Sequence, residues 1–255
     1  PTDVASYWLS SQPRDDYRGD ARVIMRNLIC GYYPPDSAVY ENPYRESAGA
    51  WARADYYGYI NPGDPEAAAG MAWRDASVSH VKNGIYGSMY AAAMLAAAAA
   101  TENVRDIVLA GRAQIPTSSR LYECVSGVID FYDRGGGEEN FYNSLHRRFC
   151  DSGSSNEWAG ILPNAGIVTA ALLYGEGNFG RSVCSAVQAA FDAGCNAAIV
   201  GSILGMRGGV GCIAPEWREP VGEIIETGSL MGRVRTSELV ARTMRHIRPS
   251  KAGEE

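Results

Sequence analysis

Residues Asn83 to Ala100 read NGIYGSMYAAAMLAAAAA, a run without a single charged side chain. Alanine, the strongest helix former, dominates it, so the stretch reads as a helix. Its longest apolar part, Met89 to Ala100, falls short of the roughly 20 residues that cross a bilayer. A helix that is apolar on every side must instead be wrapped by other elements of the same protein. Close wrapping needs small residues on the neighbours, because bulky side chains hold helix axes apart. Ala165 to Ala171 and Ala197 to Gly205 supply them. The stretch therefore predicts an all-α fold around a central small-residue helix.

Outward from this helix the 3.6-residue periodicity continues in both directions. Upstream, Asn61-Pro-Gly-Asp-Pro65 is a stop followed by a start, with Asp64 as N-cap and Pro65 at the first helical position. That predicts a helix to Ala76, preceded by helices over Ser47–Ile60, Gly19–Cys30 and Asp3–Ser11, with Pro34–Pro43 irregular. Downstream, helices are expected over Thr101–Ala113, Ser118–Tyr132, Glu138–Phe149, Asn164–Tyr174, Gly180–Asp192, Cys195–Gly205, Glu216–Ile225 and Ser237–Ile247. Gly135-Gly136-Gly137 and Asp151–Asn156 read as loops. Alternation of period two is absent except, weakly, at Ile224–Gly228. No internal repeat or linker divides the chain. One all-α domain over residues 1–249 and a polar tail over 250–255 are expected.

The bulk numbers fit this picture. The 255 residues are 46% hydrophobic and 20% charged, with a net charge of −6. An acidic balance argues against nucleic-acid and anionic-membrane partners. Six cysteines at 30, 124, 150, 184, 195 and 212 form no CxxC pair, and the three histidines are scattered. Reduced thiols, a cytoplasmic location and no zinc site are the expectation. No signal peptide is visible. Pro1-Thr2-Asp3 resembles a helix cap more than a natural start, so further sequence is expected upstream of it.

Three stretches carry polarity that a core does not need. Asn42 to Asp55 places Arg53 and Asp55 on a mostly apolar helix, where a structural ion pair is the plainer reading. Trp73 to Gly87 holds Ser79, His80, Asn83, Gly84 and Tyr86. The backbone N–H groups of the helix start at Asn83 suit a phosphate, with Ser79 and His80 beside it, unless His80 is a capping or core residue. Ala190 to Gly205 holds Asp192 at the end of one helix and Asn196 at the start of the next. That is either an oxygen-ligand corner or a simple cap.

In order and in wording these stretches resemble the ADP-ribosylglycohydrolase family. The resemblance rests on Asn42-Pro-Tyr-Arg-Glu46, Arg53-Ala-Asp-Tyr-Tyr-Gly-Tyr-Ile-Asn-Pro-Gly63, Arg74-Asp-Ala-Ser-Val-Ser-His80 and Asn83-Gly-Ile-Tyr-Gly87. It continues in Asn164-Ala-Gly-Ile-Val-Thr-Ala-Ala-Leu-Leu-Tyr-Gly175 and Cys195-Asn-Ala-Ala-Ile-Val-Gly-Ser-Ile-Leu-Gly205. It spans about Asp3 to Thr227. It implies an orthogonal helical bundle whose cleft holds ADP-ribose or a similar nucleotide above two Mg²⁺ ions. A metal-positioned water then cleaves an N- or O-glycosidic bond of an ADP-ribosylated substrate. Arg53, Asp55, Ser79, His80, Asn83, Gly84, Tyr86 and Asn196 become the substrate-binding candidates, and Asp192 a metal ligand.

The chain departs from the family pattern at the metal. The family's opening Gly-Asp-rich helix and Thr-Asp-Asp-Thr-type segment have no counterpart. Its Asp-Thr-Asp motif reads Asp192-Ala-Gly-Cys-Asn196, with Gly194 in the place of the second carboxylate. One aspartate does not hold two Mg²⁺ ions, which need several fixed oxygen ligands. Alongside the hydrolase stand a non-catalytic nucleotide-binding or structural relative, and a diverged enzyme acting on a nucleotide-derived substrate.

Overall fold

The computed structural model describes residues 1–11, 19–150, 157–227 and 232–247. The expected loop at Asp151–Asn156 and the tail at Ser250–Glu255 lie outside them. Helix follows helix: α1 (Thr2–Ser11), α2 (Gly19–Ile29), α3 (Asp36–Val39), α4 (Asp55–Tyr59), α5 (Pro65–Ala76) and α6 (Asn83–Ala98). Then come α7 (Val104–Ala113), α8 (Arg120–Asp133), α9 (Glu138–Cys150), α10 (Ile161–Gly175), α11 (Phe179–Gln188) and α12 (Ala193–Gly208). The short α13 (Pro215–Arg218), a hairpin of β1 (Ile224–Glu226) and β2 (Arg233–Arg235), and α14 (Thr236–Met244) complete the described chain. The fold is all-α, as the periodicity predicts.

The central element is a pair, α6 and α10. Both are buried along almost their whole length, which is where helices apolar on all sides belong. Tyr90 of α6 is fully buried and its hydroxyl lies 2.9 Å from Thr169 Oγ1 of α10. Thr169 itself donates to the Ala165 carbonyl at 2.7 Å, so Tyr90 is the donor. The pair is therefore hydrogen-bonded as well as packed. α5, α4, α7 and α12 close around α6, while α8 and α11 close on α10.

Small residues set these approaches. At Gly58 a Cβ would lie 2.3 Å from Leu95 Cβ and 2.9 Å from the Ala92 carbonyl oxygen, so α4 rests directly on the α6 backbone. Helix starts follow the sequence cues. Asp64 accepts the Ala67 N–H at 2.9 Å, with Pro65 at the first helical position. Asn103, Ser119 and Asn178 cap α7, α8 and α11 in the same way.

Two expected helices are broken. Over Ser47–Ile60 only a 3₁₀ turn at Trp51–Arg53 and α4 form. The residues before them pair elsewhere: Ser47 bridges Gly160, and the Ala48 N–H donates to the Ala159 carbonyl at 2.7 Å. Over Glu216–Ile225 the helix stops at Arg218. Pro220 has no N–H to continue it, and Gly222 takes φ +66°. Ile224 and Ile225 then pair with Arg235 and Val234 in an antiparallel register. Within Pro34–Pro43, read as irregular, the four-residue α3 forms. No helix among the described residues is long and apolar enough to cross a membrane.

Candidate functional site

The turn between α5 and α6 buries His80 completely. Its imidazole is held on both sides: Nδ1 lies 2.7 Å from Ser79 Oγ, and Nε2 lies 3.1 Å from Ser47 Oγ and 3.5 Å from Asp20 Oδ2. Burial, then the charge of Arg53, pull its pKa down to about 3. The ring is therefore neutral at pH 7, and its contact with Asp20 is not an ion pair. A carboxylate beside Nε2 favours the proton there, which leaves Nδ1 to accept from Ser79. His80 makes no helix-capping bond and lies in the interior, as the core alternative expects, with both ring nitrogens engaged by polar neighbours.

Arg53 organises the other side of Ser79. Its Nη2 donates to Ser79 Oγ at 2.5 Å and its Nε to Asp75 Oδ2 at 2.6 Å, with the guanidinium 5.1 Å from the Trp8 ring centroid. The structural ion pair, the plainer reading at Arg53, thus exists, partly buried, with Asp75 rather than Asp55 as its partner. Burial and the adjacent Asp75 also raise the Tyr57 hydroxyl. Asp55 points elsewhere and accepts from Ser202 of α12.

The first turn of α6 is tied to the Arg45–Ser47 segment. The Val81 N–H donates to the Arg45 carbonyl at 2.8 Å. Buried Asn83 donates from Nδ2 to Glu46 Oε2 at 2.7 Å and accepts the Leu121 N–H on Oδ1 at 3.1 Å. Arg120 meets the same Glu46 oxygen at 2.9 Å. A Cβ at position 84 would stand 2.9 Å from both the Arg45 carbonyl oxygen and His80 Cδ2, so only glycine admits this approach. The Gly84 N–H donates to the Val81 carbonyl, and the half-buried Tyr86 packs on the core. Between Pro43–Ser47 and Ala159–Gly160 lies a cavity of about 320 Å³.

The third corner is the start of α12. Asn164, buried at the start of α10, donates to the carbonyls of Trp158 (2.9 Å) and Gly160 (2.8 Å). Its Oδ1 accepts from the Asp192 N–H at 3.0 Å and from Asn196 Nδ2 at 2.7 Å. Asp192 occupies the N-cap position of α12 without making a side-chain capping bond. Instead it faces Cys195, whose thiol burial, Asp192 and the charge of Asp20 push up to about 12. Asn196 Oδ1 is buried with no hydrogen-bond partner among the described residues. Space beside Gly194 is open: a Cβ there would meet nothing within 4 Å.

The bridge between Ser47 and Gly160, and the Asn164 bond to the Gly160 carbonyl, tie these corners together. Ser79 and Gly84 meet His80, which reaches Ser47 and Asp20, with Arg53 behind Ser79; Asn83 is held by Glu46, Asp192 and Asn196 meet at Asn164, and Asp55 is drawn off toward Ser202. Sequence reading missed Asp20, Ser47, Glu46 and Asn164. Gly19-Asp20 at a helix start was the available signal for the first. Asn164 was in plain view inside the quoted α10 segment.

The magnesium that the family resemblance implies finds an incomplete donor set. Among the described residues no three His, Cys, Asp or Glu side chains are grouped as a metal ion requires. None of the six cysteines is paired in a disulfide. Comparison with curated protein sequences gives no match. The family model described as ADP-ribosylglycohydrolase matches residues 2–250, nearly the whole chain. The chain belongs to the ADP-ribosylglycohydrolase family.

Proposed function

We propose that this chain binds an ADP-ribosyl group, or a closely related nucleotide, where α2, the Arg45–Ser47 segment, the α5–α6 turn and the start of α12 meet. On this reading it hydrolyses the glycosidic bond of that group. The observation that carries the reading is the attachment of two carboxylate corners, Asp20 beside His80 and Asp192 beside Asn164 and Asn196, to the bridge between Ser47 and Gly160. Breaking an anomeric bond builds positive charge on the sugar, and carboxylates beside the ring stabilise it. Asp192, free of a capping bond, is positioned to orient and deprotonate a water. Asn196 Oδ1, without a partner among the described residues, is offered to a sugar hydroxyl, while neutral His80, engaged by Ser79, Ser47 and Asp20, holds Asp20 in place. Arg45 and Lys82, beside the first turn of α6, suit the diphosphate. With Gly194 in place of a carboxylate and no grouped metal donors among the described residues, the chain's own side chains carry the chemistry on this reading.

One observation favours a second reading. The same missing carboxylate suits a relative that binds the nucleotide without turning it over. Release of free ADP-ribose separates the two. The chain would be incubated with N-linked (arginine) and O-linked (serine) ADP-ribosyl peptides, with and without Mg²⁺, and the product followed by chromatography. Release that disappears in Asp192→Asn supports the hydrolase; saturable binding with no release supports the binder. Neither binding nor release would defeat both and leave a structural protein on the family's fold.

A further inference from the structure

Helix α12 turns one face, carrying Asn196, Ile199 and Ile203, into the core. Its other face carries Ala197, Ala198, Gly201 and Gly205, and there a pocket of about 660 Å³ opens. Phe179 and Val183 of α11 form one wall, and Ile213 and Trp217 of the following segment form another. The Phe179 and Trp217 rings meet edge to face with centroids 5.9 Å apart. Cβ atoms added at Gly201 or Gly205 would reach ordinary contact with Phe179 or Ile213, each at 3.6 Å. A larger side chain at Gly201 or Gly205 would extend past these contacts into the pocket, which both residues line.

Its polar wall has a definite sense. Ser202 and Tyr59 line the pocket, and Asp55 stands behind them. The Ser202 hydroxyl donates to Asp55 Oδ2 at 2.5 Å, so its oxygen offers the pocket only lone pairs. Asp55 Oδ1 is buried with no hydrogen-bond partner among the described residues, although the carboxylate interacts with nearby Tyr59. Acceptors backed by a buried negative charge call for a donor that is itself positive. Aromatic walls favour the same ligand, through ring contacts and cation–π attraction. Arg218 also lines the pocket but is exposed.

We propose that this pocket is a second ligand site, about 15 Å along α12 from Asp192, for an amine or ammonium group carried on an aromatic body. The inference does not depend on the ADP-ribosyl reading, since its lining residues, Tyr59 and Ser202 among them, lie apart from His80, Ser79 and Asp20 in their hydrogen bonds and ion pairs among the described residues.

Three probes test it on the full chain by calorimetry: tryptamine, 3-methylindole, which lacks the amine, and indole-3-propionate, which replaces it with a carboxylate. Tryptamine is expected to saturate, with the other two at least about tenfold weaker. Asp55→Asn should weaken tryptamine about tenfold and leave 3-methylindole unchanged. Gly201→Leu, which fills the pocket, should weaken all that bind. Melting curves establish that both variants fold; if Asp55→Asn does not, the probe ranking and Gly201→Leu still decide. No saturation by tryptamine, equal affinity for the three probes, or a folded Gly201→Leu that keeps tryptamine affinity would overturn the proposal.

Discussion

His80 Nε2 lies 3.5 Å from Asp20 Oδ2, so a fully buried neutral imidazole meets a carboxylate from a helix some sixty residues earlier. The contact staples the start of α2 onto the α5–α6 turn.

This arrangement makes stability fall in acid. His80 titrates at about 3 when folded, against 6.5 when free. Below pH 6.5 the unfolded chain takes up a proton that the folded chain refuses, so the contribution is whole above 6.5 and drains away as pH falls toward 3. Between pH 7 and pH 5 the loss through this group is about 2 kcal/mol. Urea unfolding of the native chain and of His80→Gln at both pH values checks this. The native chain should lose about 2 kcal/mol more than the variant; equal losses would show that His80 is not held neutral.

Asn164 should matter more to stability than its small side chain suggests. It satisfies two carbonyls, the Asp192 N–H and Asn196 at once. Asn164→Ala leaves several buried polar groups unpaired, at about 1–3 kcal/mol for each. Denaturant titration should show a loss of at least about 2 kcal/mol. A loss under about 0.5 kcal/mol, the size of an ordinary surface change, would mean that Asn164 does not hold this corner.

Most of the fold was legible because small-residue packing and capping are local. The Asn83–Ala100 run, the Asp64-Pro65 start and the Ala197–Gly205 stretch each announce themselves within a few residues. Ser47–Ile60 was misread because its first residues bond to Ala159 and Gly160, a pairing that no local periodicity encodes. The site was half legible. His80, Asn83, Asp192 and Asn196 lie in motifs, whereas Asp20 and Asn164 gain their meaning only from partners far along the chain. Asp55 sits two residues from Arg53 and looked like its companion, yet the turn between the 3₁₀ segment and α4 sends the two in different directions.

Position 194 offers a gain-of-ligand test. A Cβ there meets nothing within 4 Å, so Gly194→Asp should fold with a melting temperature close to the native one. The native chain should bind Mg²⁺ no better than a surface carboxylate does, and the variant about tenfold more tightly. Calorimetric titration reads both. Tight binding of two ions by the native chain would contradict the ligand count given above.

The most direct measurement is calorimetric binding of ADP-ribose to the native chain and to His80→Ala, with melting temperatures recorded for both. Saturable binding by the native chain is expected, weakened in the variant by about 1–2 kcal/mol as Asp20 and Ser47 lose the imidazole that holds them. A native chain that shows no saturable heat, or a destabilised variant that binds ADP-ribose as tightly as the native chain, would contradict the nucleotide site and leave His80 a purely structural role.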